Sequence, residues 1–239
     1  MITVDTLQKA ARTNNHAEIH INVCEAHKWI FVVNLQSAST SLRDLLLRSE
    51  LERIGDTSQK IRPKKEMRKA FEGIDTIGAE ALVERLNSPD YFKFTCVRHP
   101  YTRTISAFYK KSDKPEMKLR MEQLFKSYEI PFSWPMEFSS FLSFLEQYSA
   151  EPETLNRHWI SQASGTFASV IAYDKLLRFE TLSEDLASIA DRLCIDVSAL
   201  RHLNKRSEGV KYDRLLTQSN KDRIWALYRE DFEMFNYKR

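Results

Sequence analysis

Two short apolar runs, each followed by a turn and then a helical pattern, constrain the fold of this chain more than any other feature. The first run is Lys28 to Asn34 (KWIFVVN), and leucines at helical spacing follow its turn in LRDLLLRSELERI. The second run is Tyr91 to Val97 (YFKFTCV), followed by a turn at His99 and Pro100 and a helix through Phe108. β-branched and aromatic residues favour buried strands, and proline suits the first turn of a helix. Two strand–turn–helix units predict an α/β fold with a mostly parallel central sheet flanked by helices.

The rest of the chain shows no repeat or linker, so residues 1–239 are interpreted as a single domain, with residues 1–27 as an N-terminal extension. Apolar residues from Met136 to Tyr148 recur at helical spacing and predict a core helix. Further strands are expected at Val170–Tyr173 and Leu176–Phe179. Thr181 and Glu184 have the spacing of a capping box, and a last amphipathic helix is expected from about Ser219 to Tyr228. In the capped helix four apolar residues are predicted to face inward: Leu182, Leu186, Ile189 and Leu193.

The composition is that of an ordinary globular protein, with 42% hydrophobic residues and a formal net charge of +3. The first residues are polar and mixed in charge, and no apolar stretch is long enough for a membrane span, so we expect a cytoplasmic location. Cys24, Cys96 and Cys194 are widely spaced and odd in number. They are interpreted as buried free thiols rather than a disulfide framework or a zinc site, and no metal cluster is expected.

The first turn, Leu35 to Ser41 (LQSASTS), has the small residues and hydroxyls of a phosphate cradle. A helix beginning near Thr40 would add its N–H groups and the positive end of its dipole. The turn is not GxxxxGK[ST], which disfavours an ordinary ATP-binding loop. A serine-rich cap before a core helix would have the same appearance, so this turn alone does not decide between the two.

The second turn continues as VRHPYTRTISAFY, in which Ser106 follows Arg98 by eight residues. Arg103 and Ser106 can share one helical face with Arg98 nearby. A planar guanidinium beside a hydroxyl suits a phosphate monoester, which accepts several hydrogen bonds at once. A surface arginine and a helix serine, each taken alone, would need no functional explanation.

A basic run, KIRPKKEMRK from Lys60 to Lys69, carries six cations and one carboxylate. It is either a solvated surface or a patch that attracts an acidic substrate. Nucleic acid is not expected as a partner, because no aromatic stacking pattern or reader motif lies nearby. The residues assigned to acceptor binding are Lys60, Arg62, Lys64, Lys65 and, from the second turn, Arg103.

With these blocks in order, the chain resembles sulfotransferases that use 3′-phosphoadenosine 5′-phosphosulfate (PAPS), in the branch of Golgi carbohydrate sulfotransferases and their bacterial relatives. The resemblance runs from about Trp29 to Tyr237. Besides the two turns it includes NRHWISQ, YDKLLRFETLSEDL, HLNKR with Tyr212, and the closing YREDFEMFNY. It implies a P-loop NTPase-like sheet, PAPS as sulfuryl donor, no metal, and transfer to a hydroxyl, with a carbohydrate as the expected acceptor.

The resemblance also implies the site residues. Arg98 and Ser106 match the pair that binds the 3′-phosphate of the donor, and the first turn takes the place of the phosphosulfate loop. Closure over the nucleotide is expected from Lys205 or Arg206, with Tyr212 in the same block. The residues assigned to the phosphosulfate are Gln36, Ser37, Ala38, Ser39, Thr40 and Ser41.

One departure concerns Gln36, which stands where the family's loop usually carries a lysine. An amide donates a hydrogen bond but has no charge, so it stabilises the leaving group less. Either Lys205, Arg206 or Arg43 substitutes, or the chain is a catalytically impaired nucleotide-binding homologue. The missing loop lysine also disfavours a P-loop kinase.

The acceptor hydroxyl needs a general base, and His158 is the candidate because histidine titrates near neutrality. A hydrogen-bonded packing role beside Trp159 is the alternative for His158. Glu180 is a second candidate base, and His99 is expected to orient the turn that binds the 3′-phosphate.

Overall fold

The computed structural model describes residues 1–12, 21–55, 71, 73–112, 114–149, 158–201 and 212–239. Its centre is a four-stranded mixed sheet in the order β1-β2-β3-β4. β1 and β2 form an antiparallel hairpin in which Ile21 pairs with Val32, whereas β2, β3 and β4 run parallel. The strands are β1 (Ile21–Cys24), β2 (Trp29–Val32), β3 (Phe92–Val97) and β4 (Lys175–Arg178).

Helices surround the sheet in the described ranges, joined by short 3-10 turns at Pro115–Met117, Phe179–Thr181 and Val197–Ala199. They are α1 (Val4–Arg12), α2 (Ser39–Arg53), α3 (Ile74–Asn87), α4 (Pro100–Ser112), α5 (Lys118–Ser127), α6 (Phe138–Tyr148), α7 (Gln162–Gly165), α8 (Leu182–Ala187), α9 (Ala190–Leu193), α10 (Gln218–Leu227) and α11 (Arg229–Met234).

The sheet is covered on both faces, which is why its strands are continuous apolar runs rather than alternating ones. Side chains of β2 alternate between the faces: Trp29 and Phe31 pack with the leucines of α2, whereas Ile30 and Val32 pack with residues of α1 and α3. A separate helical core forms from α4, α5, α6 and α10. The predicted α/β class is confirmed as a single domain with a mixed sheet.

The predicted strands at Lys28–Asn34 and Tyr91–Val97 correspond to β2 and β3, and the strand predicted at Leu176–Phe179 corresponds to β4. The strand predicted at Val170–Tyr173 is wrong. The backbone N–H groups of Val170 and Ile171 both donate to the carbonyl oxygen of Phe167, at 2.9 and 2.8 Å. This turn uses donors that strand pairing would need.

The N-terminal 27 residues contribute α1 and β1, and β1 is an integral strand of the sheet. The helix predicted from Met136 forms as α6, and the helix predicted near Ser219 forms as α10, capped by the Thr217 hydroxyl.

The predicted capping box before α8 does not form. The Thr181 hydroxyl donates to the Asp185 carboxylate at 3.1 Å instead of capping the helix. The helical pattern is also interrupted after Ala187, so α8 and α9 are separate helices. The four residues predicted to face inward are nevertheless all buried: Leu182, Leu186, Ile189 and Leu193.

Cys24 and Cys96 are buried free thiols as predicted, but Cys194 is exposed. In the described ranges no helix combines the length and the apolar character needed to cross a membrane.

Candidate functional site

The candidate site lies where β2 and β3 end, because the turn into α2 and the turn into α4 meet at this edge of the sheet. In the first turn, Gln36 and Ala38 have left-handed backbones, with φ of 68° and 53°. Non-glycine residues rarely adopt this conformation, and it costs energy where they do. Alternation of left- and right-handed residues directs successive N–H groups into a concavity suited to an anion.

Helix α2 begins directly after this turn without a side-chain cap, because its N-cap residue is Ala38. Its first backbone bond runs from the N–H of Leu42 to the carbonyl of Ala38, at 3.0 Å. The preceding N–H groups belong to the first turn of the helix, where the dipole is positive. An uncapped helix start beside a strained turn is a suitable place for a phosphate or sulfate group.

The hydroxyls of this turn do not all face the site. Ser37 is fully buried, and its hydroxyl donates to Oε1 of Gln162 at 3.3 Å and accepts from Nδ2 of Asn34 at 3.2 Å. The predicted ligand contact therefore does not fit the Ser37 side chain in this structure, although its backbone remains part of the turn. Ser39 and Ser41 are also buried, while Thr40 is partly exposed.

Gln162 joins the two turns and was not singled out from the sequence. Its Oε1 accepts from the N–H of Arg98 at 2.8 Å and from Nδ2 of Asn34 at 2.9 Å. Its Nε2 donates to the carbonyl of Arg98 at 2.7 Å. Because Gln162 is fully buried, these bonds have no competition from water and hold the ends of β2 and β3 together.

Asp231 holds Gln162 in turn. Its carboxylate is fully buried and accepts from the backbone N–H groups of Gln162 and Ala163, both at 2.9 Å. Burial raises the pKa of Asp231, although the charge of Arg103 and these hydrogen bonds oppose the shift. These two hydrogen bonds hold the start of α7 and the segment that follows His158.

Arg98 and Ser106, the pair predicted to bind a phosphate, both contact Gln36. Nη1 of Arg98 donates to the Gln36 carbonyl at 3.3 Å, and the Ser106 hydroxyl donates to Oε1 of Gln36 at 3.3 Å. The Arg98 guanidinium also lies over the ring of Phe179, 4.0 Å from its centre, and donates to Thr102 at 3.1 Å. The structure thus brings these two predicted residues to the first turn.

His158 lies on the other side of the Gln36 side chain. Nε2 of Gln36 is 3.0 Å from Nδ1 of His158. Tyr212 is buried and stacks on Tyr109, with ring centres 6.0 Å apart, one helical turn from Ser106 on α4. The proposed base and the residue replacing the loop lysine are therefore direct neighbours.

Arg103 was predicted to contact the acceptor, but it is only 2% exposed. Its Nε donates to the carbonyl of Leu35 at 3.3 Å and its Nη1 to the carbonyl of Ile160 at 2.9 Å. Burial lowers the pKa of Arg103. It cannot present its guanidinium to an acceptor from this position, so the prediction is corrected: Arg103 ties the first turn to the segment that carries His158.

Glu180 and His99 have structural contacts. Glu180 accepts from the backbone N–H of His99 at 2.7 Å and from the Tyr237 hydroxyl at 3.0 Å, so both carboxylate oxygens are engaged. His99 stacks on Tyr101 with ring centres 5.0 Å apart, and burial lowers the pKa of its imidazole. These contacts fit an orienting role for His99 better than a proton-transfer role for Glu180.

Arg43 was one of the cations considered as a substitute for the missing lysine. It is buried on α2, and its Nε donates to the carbonyl of Ser39 at 3.0 Å. Burial lowers its pKa to about 10, so it is still charged at neutral pH. Its charge therefore lies beneath the first turn of the helix.

Several predicted residues lie outside the described part of the chain: Lys60, Arg62, Lys64, Lys65, Lys205 and Arg206. No group of three or more His, Cys, Asp and Glu residues that could hold a metal occurs among the residues described. A cavity of about 470 Å³, lined in part by Asn87, Lys93 and Val170, lies near the start of β3, away from the two turns.

Comparison with known proteins confirms the resemblance to sulfotransferases. The model of the sulfotransferase family matches residues 19–238. Carbohydrate sulfotransferase 12 from Mus musculus is 27% identical over 174 residues, which cover 62% of this chain and 40% of that protein. Carbohydrate sulfotransferase 10 from Danio rerio is 24% identical over 249 residues, covering 91% of this chain and 66% of that protein. The chain thus spans less than two thirds of the length of each. No solved structure gives a significant match.

Proposed function

Starting from the fact that this chain belongs to the sulfotransferase family, we propose that it transfers a sulfuryl group from PAPS to a hydroxyl of a carbohydrate. The observation that carries the proposal is the convergence of Arg98, Ser106 and His158 on Gln36, at the strained turn before α2. This arrangement supplies anion donors and a proton acceptor at one place, as transfer to a hydroxyl requires.

The donor set fits a nucleotide with two separate anionic groups. The N–H groups of the first turn and of the start of α2 would hold the 5′-phosphosulfate, which supplies the sulfuryl group. Arg98 and Ser106 would hold the 3′-phosphate with charge-assisted hydrogen bonds. Tyr212, stacked on Tyr109 near Ser106, would border the same side of the site.

His158 is assigned as the general base. A neutral imidazole can remove the proton of an acceptor hydroxyl as its oxygen attacks, and histidine carries out this role at neutral pH. Arg103 and Asp231 hold the backbone on the C-terminal side of His158, at Ile160, Gln162 and Ala163. The base is thereby positioned by buried contacts, which favours a reproducible geometry of attack.

Charge that develops on the leaving phosphate needs compensation, and Gln36 does not provide a cation. Arg43 lies beneath the first turn of α2, where it donates a hydrogen bond to the Ser39 carbonyl, and it stays charged at neutral pH. Together with the start of α2, it would stabilise the leaving group from the protein side. Lys205 and Arg206, outside the described residues, are the further cations proposed.

A carbohydrate is proposed as acceptor because the matched relatives are named carbohydrate sulfotransferases. The basic residues at Lys60, Arg62, Lys64 and Lys65 would favour an acidic glycan. These residues lie outside the described part of the chain, so their support comes from the sequence alone.

A second function, nucleotide binding without turnover, is favoured by one observation. The amide of Gln36 occupies the place of a cation and is engaged with both His158 and Ser106. In that case the donor product would bind, and no sulfated acceptor would form.

The experiment is a turnover assay with PAPS and a desulfated acidic glycan, in which release of adenosine 3′,5′-bisphosphate and sulfation of the glycan are both measured. The proposal predicts equal amounts of both products and a loss of about 100-fold or more in kcat for His158→Ala. The partly exposed His27→Gln variant is the matched control. Bisphosphate binding without turnover would instead support the non-catalytic function, and phosphate transfer from ATP would contradict both.

A further inference from the structure

Gln36 is a neutral amide between two partners that can each either donate or accept a hydrogen bond. Its Oε1 accepts from the Ser106 hydroxyl at 3.3 Å, and its Nε2 is 3.0 Å from Nδ1 of His158. A hydroxyl can reverse its role by rotation, and a neutral imidazole can reverse it by moving its proton to the other ring nitrogen. The amide itself reverses when it turns by half a revolution, since its oxygen and nitrogen then exchange places.

In the orientation of the structure, the amide N–H points at Nδ1 of His158. Nδ1 must then accept, so the proton of the neutral ring is on Nε2. An imidazole in this form cannot gain a proton at Nε2, and Nδ1 is occupied by the amide. This orientation of Gln36 therefore holds His158 in a form that is a poor general base.

The opposite orientation produces the basic form. If the Ser106 proton is donated to another acceptor, the Ser106 oxygen is available to accept from Nε2 of Gln36. Oε1 of Gln36 then faces His158 and accepts from an N–H at Nδ1, which leaves Nε2 without a proton. The imidazolium formed after proton uptake is also stabilised, because it keeps the same N–H donor toward Oε1.

We infer that Gln36 is a positioning residue that couples occupation of the 3′-phosphate site at Ser106 to the tautomer of His158. The inference rests on the proposed function, in which Ser106 donates to the 3′-phosphate. Binding of that phosphate draws the Ser106 proton away, the amide turns, and the His158 proton moves from Nε2 to Nδ1 through solvent. The number of protons is unchanged, and the base becomes competent when the nucleotide is present.

The surroundings allow the amide to turn while the main chain stays in place. The Gln36 carbonyl accepts from Arg98 at 3.3 Å, and the neighbouring Leu35 carbonyl accepts from the buried Arg103 at 3.3 Å. These bonds hold the left-handed backbone of Gln36, whereas its side chain is only partly buried. A lysine at this position would only donate, so the coupling depends on the amide.

The test is nuclear magnetic resonance of the full-length protein labelled with ¹⁵N in its histidines, at about pH 8, where an ordinary histidine is neutral. The six histidine signals are assigned by single substitution, with His158→Gln identifying the relevant one. The ¹⁵N shifts of Nδ1 and Nε2 report which nitrogen carries the proton. Spectra are recorded alone, with adenosine 3′,5′-bisphosphate, and with adenosine 5′-monophosphate, and calorimetry measures binding in parallel.

We expect an unprotonated Nδ1 in the free protein and a protonated Nδ1 with the bisphosphate, but not with the monophosphate. In Gln36→Leu the bisphosphate binds within about tenfold of wild type, because Arg98 and Ser106 remain, but the tautomer no longer responds. In Gln36→Glu the carboxylate can only accept a hydrogen bond, so Nδ1 of His158 should carry the proton without ligand. In Gln36→Lys the ammonium can only donate, so Nδ1 of His158 should stay unprotonated.

The outcomes that overturn the inference can be distinguished from one another. If the bisphosphate binds but the His158 shifts stay the same, or change equally in Gln36→Leu, the coupling is wrong and the proposed function stands. If calorimetry shows no preference for the bisphosphate over the monophosphate, the proposed function fails, and the coupling fails with it. The free-protein spectra of Gln36→Glu and Gln36→Lys add a check that needs no ligand, since identical tautomers in the two would also contradict the inference.

Discussion

The two strand–turn–helix units at the site offer different donors. The turn between β2 and α2 is strained, with two left-handed residues, and the hydroxyl of its Ser37 is used inside the protein. The second unit reaches the site with two side chains, Arg98 from the turn between β3 and α4 and Ser106 from α4 itself. The first unit therefore offers mainly backbone N–H groups, and the second offers side chains. Substitutions should act on backbone geometry in the first unit and on ligand contacts in the second.

The largest effect is expected where both units are held together, at Gln162. Gln162→Leu removes the hydrogen bonds that Gln162 makes with the N–H and carbonyl of Arg98, and one of the acceptors of the Asn34 amide. We expect the free energy of unfolding to fall by about 3 kcal/mol, because buried groups without partners are costly. Chemical denaturation measures this, with the exposed Gln147→Leu on α6 as control. Equal stability of the two variants would show that the units are held by other contacts.

In the first unit, the backbone is tested at Ala38, whose φ is 53°. Ala38→Val should lower the free energy of unfolding by about 2 kcal/mol, since a β-branched residue is strained in this conformation. Ala38→Gly removes the strain but adds freedom to the unfolded chain, so we expect a change of less than about 1 kcal/mol. Thermal and chemical unfolding of both variants measure these changes. If Ala38→Val were as stable as wild type, the backbone at this position would not be strained.

In the second unit, a side chain is tested at Ser106. Ser106→Ala should weaken binding of adenosine 3′,5′-bisphosphate about tenfold, the value of one hydrogen bond to a charged group, and leave adenosine 5′-monophosphate binding unchanged. Calorimetry distinguishes the two ligands, and Ser139→Ala, on the exposed face of α6, is the control. An equal loss for both ligands would place Ser106 outside the 3′-phosphate site.

The smallest expected effect is on the pH dependence of the free energy of unfolding, to which His99 in the second turn contributes. Burial lowers the pKa of His99 below its ordinary value, although Glu180 opposes the shift. The unfolded chain therefore binds the proton more readily, and His99 should reduce stability as the pH falls below the ordinary histidine range. We expect His99→Phe to show a smaller loss of stability between about pH 7 and pH 5 than wild type, by urea denaturation. The exposed, non-titrating control Gln147→Leu should keep the wild-type slope. An unchanged slope in His99→Phe would contradict the prediction.

The parts of the fold predicted from sequence are those with a local signal. The apolar runs at β2 and β3 and the spacing of α6 and α10 are visible in a short window, as are Arg98 directly after β3 and Ser106 on the following helix. The strand predicted at Val170–Tyr173 does not form, because an apolar run does not determine which acceptors its backbone N–H groups bind.

The buried hydrogen bonds that hold the site together could not be predicted from any short stretch of sequence. Gln162 and Asn34 bond across 128 positions, and Asp231 binds Gln162 across 69 positions. An amide and a carboxylate in polar segments are typical of the surface, so only the tertiary fold shows that both are fully buried. Likewise, Arg103 was assigned to acceptor binding because the sequence indicates its helical face but not that this face is buried.

Calorimetric titration tests whether the two units together form a site for a nucleotide with a 3′-phosphate. Wild type, Arg98→Ala and the exposed control Arg120→Ala are titrated with adenosine 3′,5′-bisphosphate and with adenosine 5′-monophosphate. We expect wild type and Arg120→Ala to bind the bisphosphate at least about tenfold more tightly than the monophosphate, and Arg98→Ala to lose this preference. A preference that persists in Arg98→Ala, or binding of neither nucleotide by wild type, would contradict it.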